Sequence, residues 1–133
     1  MEVEGLGPKH TQDRHESDIY SISDSKEGLT ILIDTVDEYG EQTDLKVWFS
    51  YARGFRYLDE GDLIYYWESN SFKTPHHVFK IQSGGWSNGE ALEPGVLSVS
   101  VALEVQEWFV ATTNGCINVL SNAEPVIEII NNA

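Results

Sequence analysis

From Leu29 to Tyr51 apolar residues keep returning at alternate positions. Leu29, Ile31 and Ile33 share one face of an extended segment, and Leu45, Val47, Phe49 and Tyr51 alternate with Lys46, Trp48 and Ser50. Side chains of a strand point to opposite faces in turn, so a period of two specifies strands with one buried face. The intervening stretch 37–43 is a turn around Gly40, so segments 29–36 and 44–52 are expected to pair as an antiparallel hairpin. No segment carries the 3.6-residue apolar stripe of an amphipathic helix.

The same reading extends along the chain. Residues 18–23, 55–58, 63–68, 77–82 and 126–130 are further strand candidates, and Gly54 marks a bulge before the second of them. Residues 83–95, with several glycines and Pro94, form a loop. Leu97, Val99, Val101 and Leu103 alternate strictly with Ser98, Ser100 and Ala102, which predicts a strand over 96–103. Residues 108–112 and 116–121 flank Asn114-Gly115, a pair that supplies positive φ for a type I′ hairpin turn. The chain is thus expected to be mainly β, a single antiparallel sandwich or a strongly curved sheet. An α+β domain with one short helix near 89–107 is the alternative. Residues 1–17 read as a flexible acidic leader, and 18–133 as a single β-rich globular domain.

Charge narrows the function classes. The chain has 133 residues, with 8 Lys and Arg against 22 Asp and Glu, for a formal net charge of −14. No Lys or Arg follows Lys80, so Glu90, Glu93, Glu104, Glu107, Glu124 and Glu128 are unbalanced in sequence. The resulting field repels nucleic acids and anionic membranes and attracts basic proteins and cations. No run of 18 apolar residues is present, and the N-terminus lacks the basic and apolar regions of a secretory signal, so a cytoplasmic location is expected. Cys116 is the single cysteine, which excludes an intrachain disulfide, and it reads as a small buried strand residue.

No motif of known catalytic mechanics occurs, and no cofactor or metal is expected. His76 and His77 are adjacent on a strand, so they face opposite ways and do not make a shared metal site. Carboxylates gather at two turns. Asp34, Asp37 and Glu38 lie around the first hairpin, and Asp59, Glu60 and Asp62 lie at the second. Turn carboxylates are commonly solvated, with local hydrogen bonds as their reason for being there. As a group they also suit a docking surface for a basic protein, with Tyr66 and Trp67 from the run Tyr65-Tyr66-Trp67 as aromatic anchors.

The stretches Glu107-Trp108-Phe109-Val110, Asn114 to Ser121 and Glu124-Pro125-Val126-Ile127 resemble the closing strand–turn–strand of small bacterial immunity proteins of polymorphic and contact-dependent toxin systems. The Gly84-Gly85-Trp86 loop and the segment 55–62 are in the same style. The resemblance implies a cytosolic protein that binds and neutralises a cognate toxin, often a basic nuclease, without chemistry of its own. Two other readings stand beside it. One is a small β-domain enzyme or carbohydrate-binding module using Trp86 and nearby carboxylates. The other is an assembly component of a phage or secretion system, which would form self-complementary oligomers.

Overall fold

The alternation over 29–49 does become a hairpin, whereas Tyr51, expected on its buried face, lies beyond the second strand and is 62% exposed. In the computed structural model, which describes residues 1–10 and 17–130, β3 (Gly28–Val36) and β4 (Gln42–Phe49) pair antiparallel from Leu29↔Phe49 to Val36↔Gln42. β2 (Asp18–Ser25) and β9 (Val126–Ile130) flank them, giving a four-stranded sheet in the order β2-β3-β4-β9. The second sheet has five strands. They are β1 (Glu2–Lys9), β5 (Gly54–Asp59), β6 (His76–Ser83), β7 (Glu107–Ala111) and β8 (Gly115–Leu120), in the order β1-β6-β7-β8-β5. Every pairing is antiparallel.

The two sheets face one another. Ile31, Ile33, Leu45, Val47 and Phe49 from one pack with Val78, Trp108, Val110, Ile117 and Val119 from the other. The five-stranded sheet is also covered on its outer face. There Phe79, Phe109, Ala111 and Cys116 lie under Leu63, Tyr66 and Phe72. Burial on both faces explains why β7 and β8 are buried at every position and read as continuous runs.

Several local expectations are corrected. Residues 2–9, expected in the flexible leader, form β1 and pair with β6 from Glu2↔Ser83 to Lys9↔His76; the rest of that expectation, 11–16, lies outside the described residues. Gly54 is no bulge, because β4 stops at Phe49 and the chain crosses to open β5 in the other sheet. Residues 63–68 are not a strand. Asp59 Oδ1 accepts the Gly61 N–H at 2.8 Å, and a 3-10 turn (Glu60–Leu63) leads into α1 (Ile64–Glu68). Residues 96–103 are not a strand either. They hold α2 (Ser98–Ala102), bracketed by Leu97 and Glu104 with φ of 51° and 52°.

The Asn-Gly hairpin closes differently from the expected type I′ turn. Its loop residues are Thr113 and Asn114, none of 113–115 has positive φ, and Thr112 Oγ1 donates to Gly115 O at 2.5 Å. Gly115 instead makes room for a ring: a Cβ there would lie within 3 Å of the Tyr57 side chain on the paired strand. Among the described residues no helix is long and apolar enough to cross a membrane.

Candidate functional site

Sheet packing brings the two acidic turns to one end of the sandwich. Contacts between the sheets fix which ends coincide. Thr35, near the end of β3, hydrogen-bonds His77 at the start of β6, and His77 Nδ1 lies 2.7 Å from Ala111 O at the end of β7. The β7–β8 loop is held from both sides. Ser17 Oγ accepts the Thr113 N–H at 3.0 Å, and Asn114 O accepts the Glu60 N–H at 2.8 Å. His10 bridges to Asp37. The β3–β4 turn, the start of β2 and the turn after β5 therefore share this end.

On that end the expected docking residues fall into two sorts. Asp34 is half-buried and its Oδ1 accepts from Gln42 Nε2 at 3.2 Å. Asp37 organises its own turn, its Oδ1 accepting from Tyr39 N at 2.8 Å and Glu41 N at 3.0 Å. Glu38, Glu60 and Asp62 are exposed, and Asp59 is the exposed cap of the 3-10 turn. Of the two expected aromatic anchors, Tyr66 is corrected. Tyr66 is fully buried against Phe72 and Phe109, and Trp67 is half-buried, edge-on to Phe72, with Nε1 donating to Glu60 O at 2.8 Å. Helical geometry turns Tyr66 wholly into the covering layer, where it presents no face to a partner, and leaves Trp67 partly exposed at its edge. Tyr39, 83% exposed at the hairpin tip, is the most exposed ring of the acidic end, with Tyr20 and Tyr57 exposed beside its carboxylates.

Acid is concentrated across the strands as well as along them. Asp18, Asp34 and Asp44 are direct partners on three neighbouring strands. Like charges placed opposite one another disfavour the pairing, so the sheet carries a local cost here. Tyr20 relieves part of it by donating to Asp44 Oδ2 at 2.6 Å. That bond, with lesser contributions from burial and the charges of Asp44 and Asp34, pushes the Tyr20 hydroxyl up to about 12. Burial, and then the charge of Asp18, raise Tyr57 in the same direction.

A second polar cluster lies on the outer face of the five-stranded sheet. Glu107 is 1% exposed, and its carboxylate accepts from Trp86 N, Ser87 N and Ser87 Oγ at 2.7 Å each and from Asn118 Nδ2 at 3.0 Å. Asn118 Nδ2 also reaches the Tyr66 hydroxyl, which donates to Glu90 Oε2 at 2.7 Å. Arg56 closes the ring with Nε on Asn118 Oδ1 at 2.9 Å and Nη2 on Glu90 Oε2 at 2.5 Å, its guanidinium 5.0 Å from the Trp86 ring centre. A carboxylate offers about four acceptor positions, and Glu107 spends them clamping the wide helical turn Trp86–Glu90 onto the sheet. Trp86, the residue of the carbohydrate-binding alternative, lies under Arg56. Period-two reasoning missed Glu107 because it follows Glu104 and Gln106 in a polar stretch just ahead of the apolar run 108–111; the one available signal was its place at the start of that run.

The sequence also missed an exposed apolar segment. Leu92, Val96, Val99, Val101 and Leu103 are 44–83% exposed, whereas Ser100 between them is buried and accepts from Arg53 Nε at 3.2 Å. The residues alternate, but α2 is helical, so the alternation marks no face: Ser98 and Ala102 are exposed along with the valines, and Ser100 alone turns inward. No protein-family model, curated protein or solved structure matches the chain.

Proposed function

We propose that this chain is an acidic, cytoplasmic, immunity-type protein that neutralises a cognate basic toxin domain, nuclease-like in its charge, by occluding it. The observation that carries the reading is the convergence of two acidic turns, 34–38 and 59–62, on one end of the sandwich, although twenty residues separate them in sequence. A toxin that handles phosphate presents a cationic surface, and an anionic end of this kind speeds encounter and fixes orientation. The rigid setting favours binding without rearrangement, since Asp37 and Asp59 are each held by their own turns. Glu107, the most deeply built carboxylate described above, is committed to its loop and takes no part.

The test is co-expression with the toxin domain encoded beside this gene, scoring growth. The wild-type chain is expected to rescue growth and to bind with strong salt dependence. Replacing Asp59, Glu60 and Asp62 by lysine, or Asp34, Asp37 and Glu38 likewise, is expected to lower the association rate by about 10–1,000-fold. Unchanged rescue and unchanged salt dependence in both triple variants would refute the reading.

A further inference from the structure

We propose that the open border of β2 takes an extended segment of the basic partner as a fifth strand of its sheet; the inference rests on the functional reading above and deepens it. The two sheets are unequal, and the surplus strand is β5. Where the sheets face one another, β9 comes against β1 and β2 comes against β8, the neighbour of β5. The four-stranded sheet has no further strand to cover β5.

The side chains of β5 show the consequence. Phe55 and Tyr57 are direct partners of Val119 and Ile117, which lie in the core between the sheets. Directly paired residues share a face, so both rings point inward. They are nevertheless 36% and 48% exposed, whereas Val119 and Ile117 are fully buried. Two inward rings open to solvent mark a place where the second layer is one strand short. Ile22, the inward residue of β2 opposite Ile31, is itself half-buried.

Strand geometry sizes the gap. Paired strands lie about 4.8 Å apart and facing sheets about 10 Å apart, so a strand added to β2 lands one step further out, over β5. Because β2 ends its sheet, its outer backbone groups have no backbone partner among the described residues. Strand addition uses both features: main-chain hydrogen bonds supply affinity, and alternate side chains reach the inward surface. The opposite side of the sandwich is closed to such a strand. There a Cβ on Gly7 of β1 would lie 2.8 Å from the Ile127 side chain of β9.

Charge selects the occupant. β2 and its turn carry Asp18, Asp24 and Glu27, all exposed, against one lysine, Lys26. Opposite charges across a strand pair favour pairing and like charges oppose it. The incoming strand is therefore apolar at its inward positions and carries Lys or Arg between them. A second copy of this chain fits poorly, since two β2 strands paired antiparallel about Ser21 set Asp18 against Asp24 at both ends. An irregularity between Ile19 and Ser21 confines regular pairing to 21–25, so the site takes a short segment.

The experiment is an NMR titration of the full chain with a short blocked peptide of alternating valine and lysine, followed by amide hydrogen exchange. Saturable shifts are expected at Phe55, Tyr57 and residues 21–25, with slowed exchange within 21–25. The glutamate–valine peptide, and the lysine–valine peptide N-methylated throughout, are expected to bind about tenfold more weakly. Phe55→Ser with Tyr57→Ser removes the inward rings and is expected to weaken the lysine peptide about tenfold. Asp18→Lys with Asp24→Lys is expected to weaken it about threefold to tenfold and to favour the glutamate peptide. This second pair changes exposed positions only, so it tests the site even where loss of the rings unsettles the fold.

Equal binding of the N-methylated or glutamate peptide, or no shift at these residues, would overturn the assignment. Protection of 21–25 that grows with the concentration of the chain itself, with a dimer in light scattering, would overturn the basic strand in favour of a second copy. Growth rescue unaffected by the ring variant, together with no peptide binding to wild type, sinks this inference alone. Rescue that is insensitive to charge reversal of the acidic turns sinks the functional reading instead.

Discussion

The hydroxyl of Thr35 lies 2.7 Å from Nε2 of His77, and this hydrogen bond joins the two sheets. His77 is 1% exposed, and its Nδ1 faces the carbonyl of Ala111. A carbonyl only accepts, so the ring carries a proton on Nδ1, and Thr35 is a partner of the opposite nitrogen. Thr35→Val keeps the volume and removes that hydroxyl from the interior. A loss of about 1–3 kcal/mol is expected in urea denaturation, and a variant as stable as wild type would show that the bond contributes nothing.

Glu107 holds four donors on two oxygens. Glu107→Ala leaves them buried without an acceptor and is expected to cost about 3–5 kcal/mol. Glu107→Gln retains one oxygen and is expected to cost about 1–3 kcal/mol. Trp86 fluorescence offers a local reading, because its backbone N–H is one of the donors. Unchanged stability in Glu107→Ala would mean that the clamp is unnecessary.

Two tyrosines link stability to alkaline pH. Tyr66 is raised by burial first and then by its bond to Glu90, and Tyr20 is raised to about 12, chiefly by its bond to Asp44. An unfolded tyrosine ionises near pH 10. Above that pH the unfolded chain releases protons that the folded chain keeps, so folding weakens as pH rises. The Tyr20 contribution is complete below about pH 10 and is lost on approaching about 12. Denaturation measured across this window is expected to show a falling slope, shallower in Tyr20→Phe. A flat profile in wild type would contradict the assignment.

The segment around α2 gives a prediction about which side faces in. Val99→Lys and Leu103→Lys change exposed positions and are expected to shift stability by no more than about 0.5 kcal/mol. Ser100→Leu puts bulk into a buried site and removes the acceptor for Arg53; about 1–3 kcal/mol is expected. A strand with Val99 inward would give the opposite ranking in a thermal melt.

These contrasts show what the residue pattern carried. The β3–β4 pairing was legible because Ile31, Ile33, Leu45 and Val47 face one core and their neighbours do not. β7 and β8 were legible through their length and turn. The strand over 2–9 was hidden by Gly5 and Gly7, which read as loop residues but sit where His76 and Ile127 leave no space for a Cβ. Around 96–103 the residues alternate, but the segment folds as a helix, where a period of two marks no single face and only Ser100 is buried. Of the candidate site, the carboxylates were visible as types. Their convergence depended on sheet order, and the burial of Tyr66 depended on a cap at Asp59.

Both sheets end in open strands, with β1 and β5 bordering one and β2 and β9 the other. Each border bears acid: Glu2 and Glu4 on β1, Asp59 on β5, Asp18 and Asp24 on β2, and Glu128 on β9. Unfilled backbone groups on such borders recruit strands from other molecules, and charge is one way to keep them apart. Replacing these carboxylates with neutral residues would therefore unmask four sticky seams at once, so the anionic excess that the proposed function turns toward a cationic partner also guards the fold against fibre growth.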